Sequence, residues 1–270
     1  MPSLATALDD LRTIDALSAR DTTLRRRDPR ALLIATLLFV VTVVSFDRYS
    51  VAALLPLALY PTVLAAQGEV PGRLLLRMLL RAAPFALLVG IFNPLFDRTP
   101  MLLLAGIDVS GGWVSFASIV VRFGLTVAAA LVLIAGTGMH PLCAALARLG
   151  APRVFAVQLL FLQRYLFVLA GEAARTTTAH ALRSGGQRRM ALPVYGSLLG
   201  HLLLRAFERA RRVHGAMLAR GFDGELRLAS THRWQSADTQ FVVLWCAYFI
   251  AVRRVDWPHA LGTVLAGAIS

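Results

Sequence analysis

Between Trp113 and Thr137 the chain carries one charged residue, Arg122. A helix needs about 20 mostly apolar residues to cross the hydrocarbon core of a bilayer, and inside lipid only helices and closed barrels satisfy their own backbone. This stretch therefore predicts a membrane-spanning helix. Apolar runs at 31–46, 50–67, 82–96 and 237–252 repeat the pattern at shorter length. The run at 82–96 is short for a bilayer, but Arg73, Arg77 and Arg81 precede it, and their stems can lie along lipid while their heads reach water. A hydrophobic content of 57%, only 16% charged residues and a mean hydropathy of +0.64 agree with an all-α integral membrane protein of about five spans.

The arginines then orient the spans. All 28 basic residues are arginine and the formal net charge is +13. On a membrane chain such an excess marks cytoplasmic loops. No aromatic-interleaved basic patch stands apart from the apolar runs, which excludes nucleic acid as the partner. With Arg25, Arg26, Arg27 and Arg30 in the cytoplasm, the loop of Asp47 and Arg48 lies outside. Arg73 to Arg81 return inside, the segment of Asp97, Arg98 and Asp108 is outside, and the run 113–137 ends in the cytoplasm. Hydropathy alone makes 154–170 another span. Crossing there would put Arg175, Arg183, Arg188, Arg189, Arg205, Arg209, Arg211, Arg212 and Arg220 outside, against the positive-inside rule. The expected organisation is thus 1–137 with four spans, 138–236 as cytoplasmic helices, and 237–270 with a last span and tail. Within the fourth span Arg122 is expected to face protein as a buried structural charge. At the N-terminus Asp9, Asp10, Asp15 and Asp21 argue against a cleavable signal. Leu4, Leu8, Leu11, Ile14 and Leu17 at helical spacing predict an amphipathic helix on the bilayer surface, with the N-terminus cytoplasmic.

Inside 138–236, Pro141, Pro152 and Pro193 stand where helices start, and Gly150, Gly185 with Gly186, and Gly221 where they end. The pattern predicts one short helix at 141–149 and two long ones at 153–183 and 193–220. Both long helices finish in similar chemistry: Leu182-Arg183-Ser184-Gly185 and Ala219-Arg220-Gly221. Arginine near a helix C-terminus favours the dipole and glycine closes the last turn, so capping alone explains either end. Two such ends on consecutive helices suit docking better. The guanidinium fork bridges carboxylates and carbonyls of a partner, and small neighbours permit close approach.

The stretches "HALRSGG", "ERARRVHGAMLARGFDGEL", "RRDPRALL" and "FNPLF" resemble the transmembrane T component of energy-coupling factor (ECF) transporters, of the CbiQ cobalt type. The resemblance runs through nearly the whole chain. It implies a non-catalytic subunit of the plasma (inner) membrane. The arginine motifs would dock on a pair of CbiO-like ABC ATPase subunits, and a separate CbiM/CbiN-like membrane subunit would bind the substrate. Arg183, Gly185, Ala219, Arg220 and Gly221 are the docking residues it implies, although the first motif departs from Ala-Arg-Gly. It favours cobalt over nickel or a vitamin.

The sequence holds no Gly-x-x-x-x-Gly-Lys-Ser/Thr loop, so ATP is expected on partner subunits and no cofactor in this chain. The alternative from another class, a membrane enzyme, needs convergent acids or a His-Glu-x-x-His pair, and neither is present. His180, His201 and His214 share no simple helix face, so no metal site is expected. Cys143 and Cys246 read as small apolar residues, and Asp223 and Glu225 as turn and cap residues.

Overall fold

The computed structural model describes residues 13–47, 49–96, 100–104, 107–184, 192–223 and 233–254. It is helical but for one short β-hairpin, and its contacts divide the chain into two compact units. The first holds Ile14–Gly138 with Thr231–Ser270, the second Met139–Ser230 with Met1–Thr13.

Residues 13–18 lie in helix α1, and its Ile14 and Leu17, in the first unit, are buried. Leu4, Leu8 and Leu11 of the expected amphipathic helix lie outside the described residues. α2 (Thr23–Arg26) starts at Thr22, whose hydroxyl accepts from the Arg25 N–H at 3.3 Å. α3 (Pro29–Val44) starts at Asp28, whose carboxylate accepts from the Arg30 N–H at 2.9 Å, with proline in the first turn where no N–H is missed. The turn after α3 closes on Asp47, whose carbonyl accepts from the Ser50 N–H and hydroxyl.

The run expected as a single second span is instead α4 (Val51–Leu54), a 3-10 turn (Pro56–Ala58) and α5 (Leu59–Gln67). Pro56 has no N–H to continue the α ladder, so the turn tightens there. Its carbonyl accepts from the Tyr248 hydroxyl at 2.7 Å. α6 (Gly72–Gly90) and α7 (Phe92–Phe96) follow. Next come β1 (Pro100–Leu104) and β2 (Ile107–Ser110), antiparallel with Leu103 opposite Asp108. The outer loop read from the sequence thus contains a hairpin. Its signal was the apolar run Met101 to Leu104 and the alternating Ile107-Asp108-Val109-Ser110, separated by only two residues, one a glycine.

α8 (Gly111–Thr137) is the hub, packing against α3, α5, α6 and α7. Small buried residues, among them Gly112, Ser115, Ser118, Ala129 and Gly136, allow this approach. A Cβ on Gly136 would lie 2.3 Å from Leu24 Cδ2, and one on Gly90 would lie 2.8 Å from Phe116 Cδ2. α12 (Ser236–Arg254) packs along α3 through an aromatic cluster of Phe39, Tyr60, Trp245 and Phe249. The Tyr60 hydroxyl lies 2.8 Å from the Thr36 hydroxyl, which itself donates to Leu32 O; Tyr60 is therefore the donor. Val41, Val44, Phe85, Leu88, Leu244 and Ile250 face outward, a distribution suited to lipid as solvent.

Among the described residues three stretches are long and apolar enough to cross a membrane: Gly72–Pro94, Gly111–Thr137 and Val154–Arg183; Pro29–Val44 and Val51–Gln67 are shorter apolar helices. Length and composition thus admit the last of the three as a span, the reading that the arginine count argues against.

The second unit contains α9 (Met139–Arg148), α10 (Arg153–Arg183) and α11 (Leu192–Ala219). The long helices match the expected 153–183 and 193–220 to within a residue, and the short one begins two residues before 141. α9 packs on α10 through Cys143, Ala156 and Leu160. It ends where Gly150 takes φ +102° and Ala151 N–H reaches Leu146 O at 3.1 Å.

Candidate docking site

α10 and α11 run antiparallel. Glu172 on α10 accepts from Arg205 at 2.8 Å and from Arg209 at 3.5 Å on α11, and Thr176 lines a depression with Leu198, His201 and Arg205. Toward the other end, Val157 and Phe161 of α10 face Val213 and Met217 of α11 across an apolar groove of about 430 Å³. Arg183 therefore marks one end of the pair and Arg220 the other. At 1.5 Å per residue, the 31 residues of α10 separate them by about 46 Å.

The Arg220 end closes by main-chain bonds. Gly221 takes φ +79°, its N–H reaches Leu218 O at 3.0 Å, and Phe222 N–H reaches Met217 O at 3.0 Å. This is a Schellman cap with Arg220 at the C-cap and Gly221 just beyond it. Phe222 and Met217, the pair whose apolar contact commonly accompanies such a cap, both line the groove. The orphan carbonyls are met by the backbone, and the Arg220 guanidinium forms no hydrogen bond or ion pair among the described residues. Ala219, Arg220 and Gly221 are all exposed.

At the other end Ser184 N–H continues the ladder to His180 O at 2.9 Å, and the Ser184 hydroxyl donates to Ala181 O at 3.2 Å. Arg183 is exposed and likewise unpaired among the described residues. Gly185 lies outside them. Each tip also displays a large apolar side chain, Leu182 at 79% and Leu218 at 55% exposure. The sequence reading missed these leucines, which share the last turn with each arginine.

Arg122 is half-buried rather than enclosed, and its partners are not carboxylates. It donates to the Ser118 hydroxyl at 3.2 Å, to Val44 O at 3.4 Å in the last turn of α3, and to Asp47 O, which also accepts from Ser50 in the turn that follows. No three His, Cys, Asp or Glu side chains converge among the described residues. Asp223 is exposed, and Glu225 lies outside the described residues.

A second arrangement was not foreseen. Asp238, 3% exposed in the first turn of α12, accepts from Gln235 N–H at 3.0 Å and from Asp28 N–H at 3.2 Å. Asp28, 2% exposed, is paired with Arg30 at 2.8 Å, and Arg27 lies over the Phe241 ring at 4.5 Å. The starts of α3 and α12 are thereby tied together. The signal was Gln235-Ser236-Ala237-Asp238, with an acid three residues after the cap.

The cobalt transport protein family CbiQ matches residues 20–231, a stretch that includes both arginine tips. The chain belongs to the CbiQ family. Among curated relatives, the cobalt transport protein CbiQ of Salmonella typhimurium is 30% identical over 164 residues, 54% of this chain and 71% of that protein. The cobalt transport protein CbiQ of Rhodobacter capsulatus is 44% identical over 69 residues, 25% of this chain and 28% of that protein. An uncharacterized protein of Methanocaldococcus jannaschii is 30% identical over 81 residues, 30% of each chain. The CbiQ-family chain is a membrane protein of a transport family.

Proposed function

We propose that this chain is the membrane coupling subunit of an ECF-type transporter for cobalt ions, seated between ABC ATPase subunits and a separate membrane subunit that selects the metal. The observation carrying this reading is the pair of exposed arginine tips at opposite ends of the antiparallel α10–α11 pair, each closed by its own backbone. A guanidinium that caps nothing is available to carbonyl and carboxylate acceptors on another protein. The exposed leucine beside each arginine adds apolar contact. Tips about 46 Å apart can reach two different subunits, and a pair of rigid helices ending in them can pass a change in partner spacing on to the membrane unit. Cobalt as cargo is supported by the family and by the names of the relatives. ATP would be hydrolysed on the partners.

The test is purification of the intact complex with its ATPases, followed by metal analysis. Removing one partner of a buried charged hydrogen bond costs roughly 2 kcal/mol or more, about thirtyfold in affinity. Replacing Arg183 and Arg220 together by alanine should therefore strip the ATPases from the chain and abolish cobalt uptake while the chain still inserts. Normal ATPase recovery and normal uptake by that double variant would refute the docking role. Accumulation of nickel or a vitamin in place of cobalt would refute the cargo alone.

A further inference from the structure

The Glu172 carboxylate on α10 divides its two oxygens between arginines one turn apart on α11. Arg205 Nη1 donates to Oε1 at 2.8 Å and Arg209 Nη2 to Oε2 at 3.5 Å. Residues four apart share a helix face, so the carboxylate sits between successive turns of α11. Sliding either helix along the other by a turn breaks one of the two bonds. The Glu172 side chain is only 15% exposed, which leaves its charge leaning on this pair of partners.

The helices stand apart on both sides of this tie. Toward the Arg220 end, Phe161 and Leu169 of α10 and Ala206 and Ala210 of α11 border a cavity of about 250 Å³. Phe161 and Ala210 also border the groove of about 430 Å³ beyond it. Toward the Arg183 end, Thr176 faces Leu198 and Leu202 across a depression of about 180 Å³. Interdigitated side chains fix the angle between packed helices, and open space on both sides leaves that angle to the contact between them. The tie is also centred on the two tips: Arg183 follows Glu172 by 11 residues and Arg220 follows Arg209 by 11, about three turns in each case.

We infer that Glu172 is a positioning residue, fixing the point at which α10 crosses α11 so that the helices turn about it and a displacement of one arginine tip is passed to the other. This inference rests on the coupling role proposed above for the tips. A charged contact suits a pivot, because Coulomb attraction tolerates a change of angle that a close-packed contact does not. The two arginines oppose sliding at the same time. Arms of equal length make a rotation about the tie move both tips by comparable distances.

The experiment uses the full chain with Cys143 and Cys246 replaced by alanine and spin labels at exposed positions of both helices. One pair, Ala179→Cys with Ser197→Cys, reads the Arg183 end, and another, Phe155→Cys with Ala216→Cys, reads the Arg220 end. Each pair should give one narrow distance distribution, and Glu172→Gln should broaden both. Glu172→Arg with Arg205→Glu and Arg209→Glu reverses the charges and should narrow them again. In the complex with its ATPases, Glu172→Gln should keep the ATPases bound, since the tips are intact, while cobalt uptake per ATP hydrolysed falls about fivefold or more. The charge-reversed chain should regain most of that loss. Distances unchanged by Glu172→Gln would overturn the inference. So would broadened distances with parental uptake per ATP, which would make the tie a stabilising contact alone, and so would loss of the ATPases, which would make Glu172 part of the docking surface. A parent chain that recovers no ATPase would refute the coupling reading itself, a result separate from the distances that test the tie.

Discussion

Gly221 and Arg220 divide one helix end between them. With φ at +79°, Gly221 holds a conformation that a side chain opposes by about 1 kcal/mol, and the two main-chain bonds of the cap depend on it. Gly221→Ala is therefore expected to lower the stability of the chain by about that amount, measured by thermal unfolding, and to blur the position of the tip. Arg220→Ala leaves the cap bonds intact and should alter stability by no more than about 0.5 kcal/mol. Under the docking proposal its effect falls on assembly. Arg220→Lys keeps the charge and loses the planar fork, so it should recover ATPase association only in part. Full recovery by lysine would reduce the contact to simple charge attraction. That arginine and glycine form one motif was legible in the sequence, but which of them performs the capping was not. The answer lay in two backbone hydrogen bonds.

Between elements, a buried polar link in the first unit joins the starts of α3 and α12. The Asp238 carboxylate accepts two main-chain N–H groups, one from its own helix cap and one from Asp28, in a setting where it is 3% exposed. Truncation to alanine strands the buried Asp28 N–H, at about 1–3 kcal/mol, and removes the part-buried cap bond to Gln235 N–H, at about 1 kcal/mol. Asp238→Ala is thus expected to destabilise by about 2–4 kcal/mol in thermal unfolding. Asp238→Asn, which keeps one acceptor oxygen, should lose about half as much. An alanine variant as stable as the parent would show that the tie is dispensable. Asp238 stands in the first turn of α12, where a carboxylate at the third helical position reaches back to the cap. Its partner Asp28 is 210 residues away, beyond any local pattern.

For the whole molecule, the open choice is whether α10 crosses the bilayer. Length and hydropathy permit it, while the arginines from Arg175 to Arg220 oppose it. Cysteine labelling in intact cells decides between the two. In a chain with Cys143 and Cys246 replaced by alanine, Ser197→Cys, at an exposed position on α11, should resist a membrane-impermeant maleimide and react after permeabilisation. Labelling from outside would make α10 a span and move the arginine tips away from any cytoplasmic ATPase.

The sequence by itself determined a helical membrane protein, the limits of its long helices, and the arginine and glycine tips. Each of these rests on composition or on a period of a few residues, which the backbone ladder of a helix and the thickness of a bilayer impose locally. Only the tertiary structure decided that the second apolar run tightens at Pro56, that Arg122 serves the end of α3, and that Asp238 ties α12 to Asp28. It also decided that the two tips point to opposite ends of an antiparallel pair. Those outcomes depend on which helices become neighbours. That is set by small residues such as Gly136 and Gly90 admitting close packing and by charges finding distant acceptors, neither of which leaves a periodic mark on the chain.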